Sequence, residues 1–442
     1  MGESRLPANQ LNRAGRRQWS RRAAAAGSAA AVVSSVVALG FPVAPPADAA
    51  IFTVNSCEDS GLGSLRQAIE DANATSGADV ITITASCPDS GPVAVGATML
   101  VRDDVNIIGP GAEAFVLDGG DDESVFAIDI SDGGVFTLSG VTIQHGSTAG
   151  SGGGLTQSGS KDVDITIDGV RFLDNTADNH GGAMQVDTSG TGVVTIRNSV
   201  FSGNLSRGNG GALEVRDSGI VTITASTFYG NSAASAGGAI DIYGQPSDVV
   251  IYNSTVTGNT AGGNGGGISL PGAYEAVTLA FVTVTENSSG GNGGGLYAMY
   301  SSSNSAVSIS GGLFAGNVAD GSGDEIYVYT GVAITEADNL FEGSVGGFTP
   351  DVSDVLGVDP LLGVLGNNGG PTPTRALLAG SPALDVGPTT VPAFPGDEYD
   401  QRGNPYLRVY NRRSDIGAFE FQPEPTPEPS PQPAPWGPAF TG

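Results

Sequence analysis

Three aspartates in a short acidic run are the first side chains that could perform chemistry. Asp118, Asp121 and Asp122 lie close together in the sequence. Carboxylate oxygens are the ligands that Ca²⁺ prefers in proteins, so these residues are candidate calcium ligands. A solvated acidic loop is the alternative, because tandem nonapeptide calcium-binding repeats are absent from the sequence. Apart from this calcium ion, the sequence predicts no cofactor.

Two histidines, His145 and His180, are the next candidates for acid or base chemistry. The Asp121–Asp122 pair followed by His145 superficially resembles polygalacturonase motifs, in which paired carboxylates act as acid and base. The Asn-x-Asp and Arg-x-Lys runs that complete those motifs are missing. Both histidines also fall in turns of the repeat described below. We therefore expect two solvated turn histidines and predict no catalytic residue.

Four tyrosines could bind a ligand through their rings. Tyr243, Tyr274, Tyr300 and Tyr329 fall in or beside loops whose length changes from one sequence repeat to the next. Aromatic rings can present flat faces to sugar rings, with nearby Asp and Asn side chains supplying polar contacts. In the alternative interpretation, the tyrosines stack on each other and cover the ends of strands. These tyrosines are candidate ligand-binding residues, with the structural alternative left open.

A repeat of about 28 residues must position all of these side chains. One position of the repeat is an asparagine in six copies, spaced 27 to 30 residues apart, and an earlier copy has Gly146 there. A glycine lies six residues after each of these anchors, and apolar residues recur at fixed distances on both sides. The six anchors are Asn175, Asn204, Asn231, Asn259, Asn287 and Asn317.

Each repeat contains three short runs that favour β-structure and no run of ten residues with helical periodicity. This pattern excludes the helical repeat classes and predicts an all-β solenoid of three-strand coils, with like residues stacked about 4.8 Å apart. The recurring asparagines predict a structural ladder of stacked amides at a tight turn, since Asn tolerates the left-handed conformation. The recurring glycines predict backbone angles or close contacts that other residues cannot adopt.

The paired motifs FLDN/GGAM, FSGN/GGAL and FYGN/GGAI resemble the repeats of polymorphic outer-membrane proteins. This resemblance implies a right-handed parallel β-helix of the pectin-lyase-like type. The run GSLRQAI is similar to an N-terminal cap of bacterial surface β-helices. The segment from DPLLG to DIGAFE resembles a C-terminal module that secreted proteins carry together with varied anchors. Proteins of this kind are mostly assigned to the cell surface without known chemistry.

The start of the chain has the pattern of an export signal. Five arginines within residues 13–22 precede an uncharged stretch at residues 23–41, and Ala47-Asp48-Ala49 is typical of a signal-peptidase site. An uncleaved membrane anchor is the alternative. An exported protein with two cysteines most simply pairs them, here Cys57 with Cys87. The predicted parts are a signal peptide (1–49), an N-terminal cap with a short helix and the disulfide (50–100), the β-helix (101–338), a C-terminal capping and anchor-associated module (339–421) and a disordered Pro-rich tail (422–442).

The charge balance narrows the classes of partner. With 18 basic and 46 acidic residues and a net charge of −28, the chain would repel phosphate backbones, so we expect no nucleic-acid partner. No apolar stretch after the signal is long enough to span a membrane. We predict a secreted or cell-surface β-helix that acts as an adhesive or structural binding module for an extracellular polysaccharide or a cell-surface component. The alternative function is a polysaccharide lyase or glycoside hydrolase.

Overall fold

Residues 49–422 are described by the computed structural model of the chain, with short gaps in several loops. The gaps are residues 88–90, 132, 159–161, 189–190, 245–247, 273–275, 300–305, 330–331, 392–395 and 397. The predicted signal peptide up to residue 48, nearly all of the predicted tail, Tyr274 and Tyr300 therefore lie outside the described residues.

A parallel β-solenoid accounts for most of the described residues, because each turn of the chain adds one strand to each of several sheets. In chain order within a coil we name these sheets 1 to 4. Sheets 1 and 2 have eleven strands each, sheet 3 has seven and sheet 4 has ten. The predicted three-strand coil and all-β fold are confirmed. Sheet 3 is an addition, since its two-residue strands are too short to show any periodicity in the sequence.

The strands of each sheet pair in parallel, and their bounds are as follows. Sheet 1 contains Ile51–Val54, Asp79–Ile83, Val105–Ile108, Gly134–Ser139, Val163–Asp168, Val193–Arg197, Ile220–Thr224, Asp248–Tyr252, Ala276–Ala280, Ala306–Ser310 and Ala333–Ala337. Sheet 2 contains Val93–Ala94, Val116–Asp118, Thr142–Gln144, Arg171–Leu173, Val200–Ser202, Thr227–Tyr229, Thr255–Thr257, Thr283–Thr285, Leu313–Ala315, Leu340–Phe341 and Val355–Leu356. Sheet 3 contains Ser147–Thr148, Thr176–Ala177, Leu205–Ser206, Ser232–Ala233, Thr260–Ala261, Ser288–Ser289 and Val318–Ala319. Sheet 4 contains Met99–Val101, Phe126–Ile128, Leu155–Ser158, Met184–Asp187, Leu213–Arg216, Ile240–Tyr243, Ile268–Leu270, Leu296–Ala298, Ile326–Val328 and Val345–Gly346.

The core consists of columns of apolar side chains that run along the solenoid axis. Alternate residues of a strand face the interior, so Val194 and Ile196 are fully buried whereas Thr195 between them faces outward. Equivalent residues of successive coils then lie directly above one another. The rings of Phe172 and Phe201 stack with centroids 4.8 Å apart, and those of Phe201 and Phe228 with centroids 4.6 Å apart. The repeat thus aligns like side chains into one continuous apolar interior.

The anchor asparagines form a buried ladder of amides along the solenoid. Asn231 Nδ2 donates to Asn259 Oδ1 at 2.9 Å and to the carbonyl oxygen of Phe201 at 3.0 Å, while its backbone N–H donates to the same Oδ1 at 2.9 Å. The same contacts recur from Asn175 to Asn317. Beyond Asn317 the Glu325 carboxylate accepts its Nδ2 at 2.5 Å and ends the ladder. Each amide therefore joins neighbouring coils through several buried hydrogen bonds.

The left-handed turn lies one residue earlier than the sequence analysis placed it. The residue before the anchor has a positive φ, for example 53° at Asp174, 64° at Gly230 and 58° at Glu286. The asparagine itself has a negative φ, because its side chain must point inward into the ladder. The glycines six residues after the anchor do have the predicted special geometry. Their φ values are 59–72°, and an added Cβ would lie 2.2–2.4 Å from a backbone carbonyl oxygen, at Gly152, Gly181, Gly210, Gly237, Gly265, Gly293 and Gly323.

A short helix and a disulfide cover the N-terminal end. Helix α1, Leu65–Ala72, begins after Ser64, whose hydroxyl accepts the backbone N–H of Gln67 at 3.2 Å. Leu65, Ala68, Ile69 and Ala72 face the core, as the apolar spacing predicted. The predicted disulfide between Cys57 and Cys87 is confirmed. The described part of the chain has no helix with the length and apolarity that crossing a membrane requires.

The C-terminal region differs from the predicted end cap in two respects. Strands of sheets 2 and 4 continue past residue 338 to Leu356, and Phe348 packs on Phe341 with centroids 6.2 Å apart, so residues 339–356 still belong to the solenoid end. Residues 359–422, which include the antiparallel pair Leu362–Gly366 and Thr374–Leu377, lie along the flank of the solenoid on sheet 2.

Polar groups on the outer face of sheet 2 hold this module. Gln401 Nε2 donates to Thr227 Oγ1 at 2.8 Å, and Gln401 Oε1 accepts Thr255 Oγ1 at 2.6 Å. Leu313 and Leu340 of the solenoid pack against apolar residues of the module. The outer hydroxyls of consecutive coils form a row that a non-repetitive segment can bind, which explains why the module lies on the side of the coils.

Candidate functional site

The outer face of sheet 4 has a column of polar and aromatic side chains. Glu214 shows the orientation: its neighbours Leu213 and Val215 are in the core, so its own side chain points to the other face. The pairing of successive strands places one such residue in each of seven coils. The column consists of Thr156, Gln185, Glu214, Asp241, Ser269, Tyr297 and Tyr327. We call it the sheet-4 column.

The middle of the sheet-4 column is buried although it faces outward. Glu214, Asp241 and Ser269 each have 0% of their surface exposed. The turn that leads into sheet 4 packs directly on them, since a Cβ on Gly237 would lie 2.9 Å from Cβ of Asp241. Glycine at this position lets the backbone approach Asp241, and Gly210 lies in the same way beside Glu214 in the preceding coil, so each turn covers part of its own acidic residue.

Several oxygens under this cover have no hydrogen-bond partner among the described residues. They are Glu214 Oε2, both carboxyl oxygens of Asp241 and the hydroxyl of Ser269. A buried polar group left in this way costs about 1–3 kcal/mol, and more when it is charged. Two acidic side chains on adjacent strands thus share a dry layer that disfavours their ionised forms.

Two basic side chains reach this layer from the surface. Arg216 donates from one terminal nitrogen to Glu214 Oε1 at 3.0 Å. Nδ1 of His180 lies 3.3 Å from the same oxygen and also accepts the backbone N–H of Asn209 at 3.2 Å. About a third of each side chain is exposed, 34% for Arg216 and 31% for His180. A ligand on the surface could therefore contact the basic groups while the carboxyl groups remain covered.

Burial shifts the pKa values of these groups toward their neutral forms. Desolvation raises the pKa of Glu214 to about 7, although Arg216 opposes the shift. Desolvation also raises the pKa of Asp241 to about 7; the Ser269 hydroxyl opposes this without reaching hydrogen-bond geometry, and Glu214 adds to it. For His180, burial and then the charge of Arg216 lower the pKa. The two carboxyl groups therefore change charge near neutral pH.

The raised pKa of Asp241 predicts that folding stability falls as pH rises. Between about pH 4 and pH 7, Asp241 is protonated in the folded state and ionised in the unfolded state. Its contribution to folding stability is therefore present below this window and lost as pH rises through it. In Asp241→Asn the carboxyl group is replaced by a neutral amide of the same shape. We expect the stability of the variant relative to wild type to rise by about 1–3 kcal/mol between pH 5 and pH 8. Urea unfolding at both pH values measures the difference.

Asp217→Asn is the matched control, because it removes the same charge from an exposed residue of the neighbouring loop. It should change stability little at either pH. A gain in the control as large as that in Asp241→Asn would attribute the effect to the net charge of the molecule and contradict a local cause at Asp241.

The predicted calcium ligands do not converge. Asp118 accepts hydrogen bonds from Gln144 Nε2 at 2.7 Å and from the backbone N–H of Gly120 at 2.9 Å, and it pairs with His145 Nδ1 at 3.1 Å. Asp121 follows in a left-handed turn with φ 63°. Among the described residues, no three His, Cys, Asp or Glu side chains are placed to hold a metal ion. Calcium binding by Asp118, Asp121 and Asp122 stays a prediction.

The histidines are less solvated than the sequence analysis expected. Both are half-buried, with His145 paired to Asp118 and His180 next to Glu214. Sequence reasoning missed the acidic pair because Glu214 and Asp241 each lie between two inward apolar residues. In a β-strand this pattern is typical of an exposed side chain, and the covering turn cannot be inferred from it. An acidic residue in two successive coils at one repeat position was the available signal.

The candidate tyrosines are exposed wherever the structure describes them. Tyr243 and Tyr329 are 51% and 48% exposed; Tyr243 is the last residue of its sheet-4 strand and pairs with Arg216 of the preceding coil, and Tyr329 directly follows its strand. Tyr297 and Tyr327, which the sequence analysis did not select, stack nearly parallel with centroids 5.9 Å apart. Stacked and exposed tyrosines thus lie side by side on the same face.

Comparison with known proteins identifies the class of the solenoid. Residues 123–349, just over half of the chain, match the family model of the right handed beta helix region. The chain therefore belongs to the right-handed β-helix family, which confirms the predicted hand. Among solved structures, the A-module of mannuronan C-5 epimerase AlgE6 from Azotobacter vinelandii matches at 14% identity over 69% of this chain and 99% of that chain, with a TM-score of 0.24. The comparison with curated proteins gives no match.

Proposed function

We propose that the protein is an exported β-helix that binds polysaccharide along the face of sheet 4, in the extracellular space or at the cell surface. The observation that carries this proposal is the pair of exposed tyrosines on one face. Tyr243 and Tyr329 occupy the same position of coils three apart, which places them about 14 Å from each other along the axis. An extended polymer lying parallel to the axis could contact both rings.

Features of the sequence support the export part of the proposal. The arginine-rich start, the uncharged stretch and the Ala47-Asp48-Ala49 site have the pattern of a cleaved signal peptide. The disulfide between Cys57 and Cys87 is typical of proteins that fold in an oxidising compartment. The resemblance of residues 63–69 to surface-protein caps, and of residues 359–421 to an anchor-associated module, agrees with a place at the cell surface.

A polysaccharide lyase or glycoside hydrolase is the second candidate, and one observation favours it. Two basic side chains, Arg216 and His180, lie within 3.3 Å of Glu214 Oε1, and such an arrangement could transfer protons. Acid–base catalysis requires the carboxyl groups to reach the substrate, whereas Glu214 and Asp241 have no exposed surface. Binding without cleavage is therefore the better supported function.

A glycan array tests the proposed function. We expect the mature protein to bind at least one extended polysaccharide, and the double variant Tyr243→Ala, Tyr329→Ala to bind it about tenfold more weakly, because stacking on each ring contributes about 0.5–1.5 kcal/mol. Tyr410→Ala is the control, since Tyr410 is 48% exposed but belongs to the C-terminal module. Equal binding by the double variant and this control would contradict the proposal. Release of reducing ends from a bound glycan would favour the enzyme instead.

A further inference from the structure

We propose that Glu214 and Asp241 share protons in a way that makes the surface above them negative on the alkaline side of neutral pH, so that this surface accepts anionic groups of a polysaccharide only on the acid side. The proposal rests on the proposed function and adds its regulation. Its starting point is the pair of fully buried acidic residues whose oxygens lack partners.

The two carboxyl groups are close enough to interact strongly. Glu214 and Asp241 are directly paired on adjacent parallel strands, which lie about 4.8 Å apart. Two carboxyl groups on paired residues of a buried layer do not ionise independently, because the charge on one opposes the charge on the other. Glu214 Oε2 and both Asp241 oxygens have no hydrogen-bond partner among the described residues, so a proton on either group removes a buried charge that lacks a partner.

The contact with His180 independently places a proton on Glu214. The backbone N–H of Asn209 donates to His180 Nδ1 at 3.2 Å, so this nitrogen uses its lone pair as an acceptor. Glu214 Oε1 lies 3.3 Å from the same nitrogen. An ionised carboxylate would place a second acceptor against that lone pair, whereas a protonated Glu214 can donate to it. The geometry thus fits the neutral acid.

Charged groups face the pair from each neighbouring element. Arg216 lies on the same strand as Glu214, Asp187 on the preceding strand and His180 on the preceding turn. When both carboxyl groups are neutral, the charges of Arg216 and Asp187 balance and the site is close to neutral. When both are ionised, the site carries two additional negative charges. Because about a third of Arg216 and of His180 is exposed, a ligand group can sense this change.

Histidine NMR tests the shared proton. The sequence has only two histidines, so histidine labelling gives two ring signals, which His145→Gln assigns. We expect the His180 ring to show an inflection near pH 7 in wild type that is absent in Glu214→Gln and shifted in Asp241→Asn. Both variants mimic the neutral acid and should remain folded. A His180 titration that is the same in wild type and in Glu214→Gln would overturn the proposal.

Binding of dextran sulfate tests the change of charge, because its sulfates stay ionised and only the protein titrates. We expect wild type to bind about tenfold more weakly at about pH 8 than at about pH 6. The double variant Glu214→Gln, Asp241→Asn should keep its affinity across this range, and Asp217→Asn should behave like wild type. A pH dependence that persists in the double variant would overturn the proposal that Glu214 and Asp241 cause the change of charge.

The two measurements separate this inference from the proposed function. A Glu214-dependent inflection at His180 supports the shared proton whether or not any glycan binds. Binding of uncharged dextran that is unchanged by pH, together with binding of dextran sulfate that weakens as pH rises, supports both the polysaccharide face and the local change of charge. Failure of every glycan to bind overturns the proposed function and the ligand part of this inference, and leaves the shared proton established by NMR alone.

Discussion

Replacing Asn231 or Asn259 with alanine is expected to lower the free energy of unfolding by roughly 3–5 kcal/mol. Alanine at position 231 removes the acceptor of the backbone N–H and Nδ2 of Asn204, at 3.0 and 2.9 Å, and the donor to the carbonyl oxygen of Phe201. These groups are buried and cannot turn to water. Because several are left unpaired at about 1–3 kcal/mol each, the loss exceeds that of a single surface hydrogen bond. Urea unfolding followed by circular dichroism measures it.

Asn411→Ala is the control for the ladder, since Asn411 is exposed and its amide donates only to Asp385. Asn253 lies outside the repeat position but is unsuitable as a control. It is 3% exposed, and its side chain binds Tyr399 and Arg408 of the C-terminal module. A loss at Asn231 no greater than the loss at Asn411 would show that the ladder contributes nothing special.

Arg408→Ala is expected to destabilise the protein by about 3–5 kcal/mol. Arg408 is 0% exposed, pairs with Glu420 at 3.1 Å and donates to Asn253 Oδ1 at 3.1 Å and to the carbonyl oxygen of Gly417 at 2.9 Å. Its guanidinium also lies 4.5 Å from the ring centroid of Phe281. Removing it leaves the buried carboxylate of Glu420 without its cation and uncovers an aromatic ring on the flank of the solenoid.

Two variants separate charge from packing in this prediction. Arg408→Met keeps apolar contact with Phe281 but still leaves Glu420 without a cation, so it should lose most of the same free energy. Arg171→Ala should cost less than about 1 kcal/mol, because its partner Glu113 is 80% exposed and the pair is screened by water. Equal stability of the Arg408 and Arg171 variants would show that the module contributes little to the stability of the coils.

The sequence was sufficient to predict the solenoid because the strands of successive coils pair in parallel and bring equivalent residues of neighbouring repeats into contact. Residues one repeat apart become neighbours, so Phe172, Phe201 and Phe228 could be stacked from their spacing alone. The same reasoning placed the asparagines in one column. It could not locate the left-handed residue, because Asp174 and Gly230 share a backbone angle but no residue type. The two-residue strands of sheet 3 were missed since they show no alternation.

The candidate site depends on contacts between residues that do not occupy equivalent positions of the repeat. Glu214 and Asp241 look like exposed strand residues, but the turns at Gly210 and Gly237 pack close to them and both side chains are buried. The docking of Gln401 on Thr255 joins residues 146 positions apart through a segment without repeats. Such contacts follow from the shape of the folded surface. Sequence reasoning therefore predicted the scaffold and the exposed tyrosines as candidates, but it missed the acidic pair and the lateral module.

Hydrogen–deuterium exchange of the mature protein, with and without the glycan that binds best on the array, tests polysaccharide binding at sheet 4 most directly. We predict that the glycan slows exchange in the sheet-4 strands Leu213–Arg216, Ile240–Tyr243 and Ile326–Val328 and in the residues that follow them. Exchange in residues 359–422 should stay unchanged. Protection confined to that module or to sheet 1, with none at sheet 4, would contradict the proposed binding face.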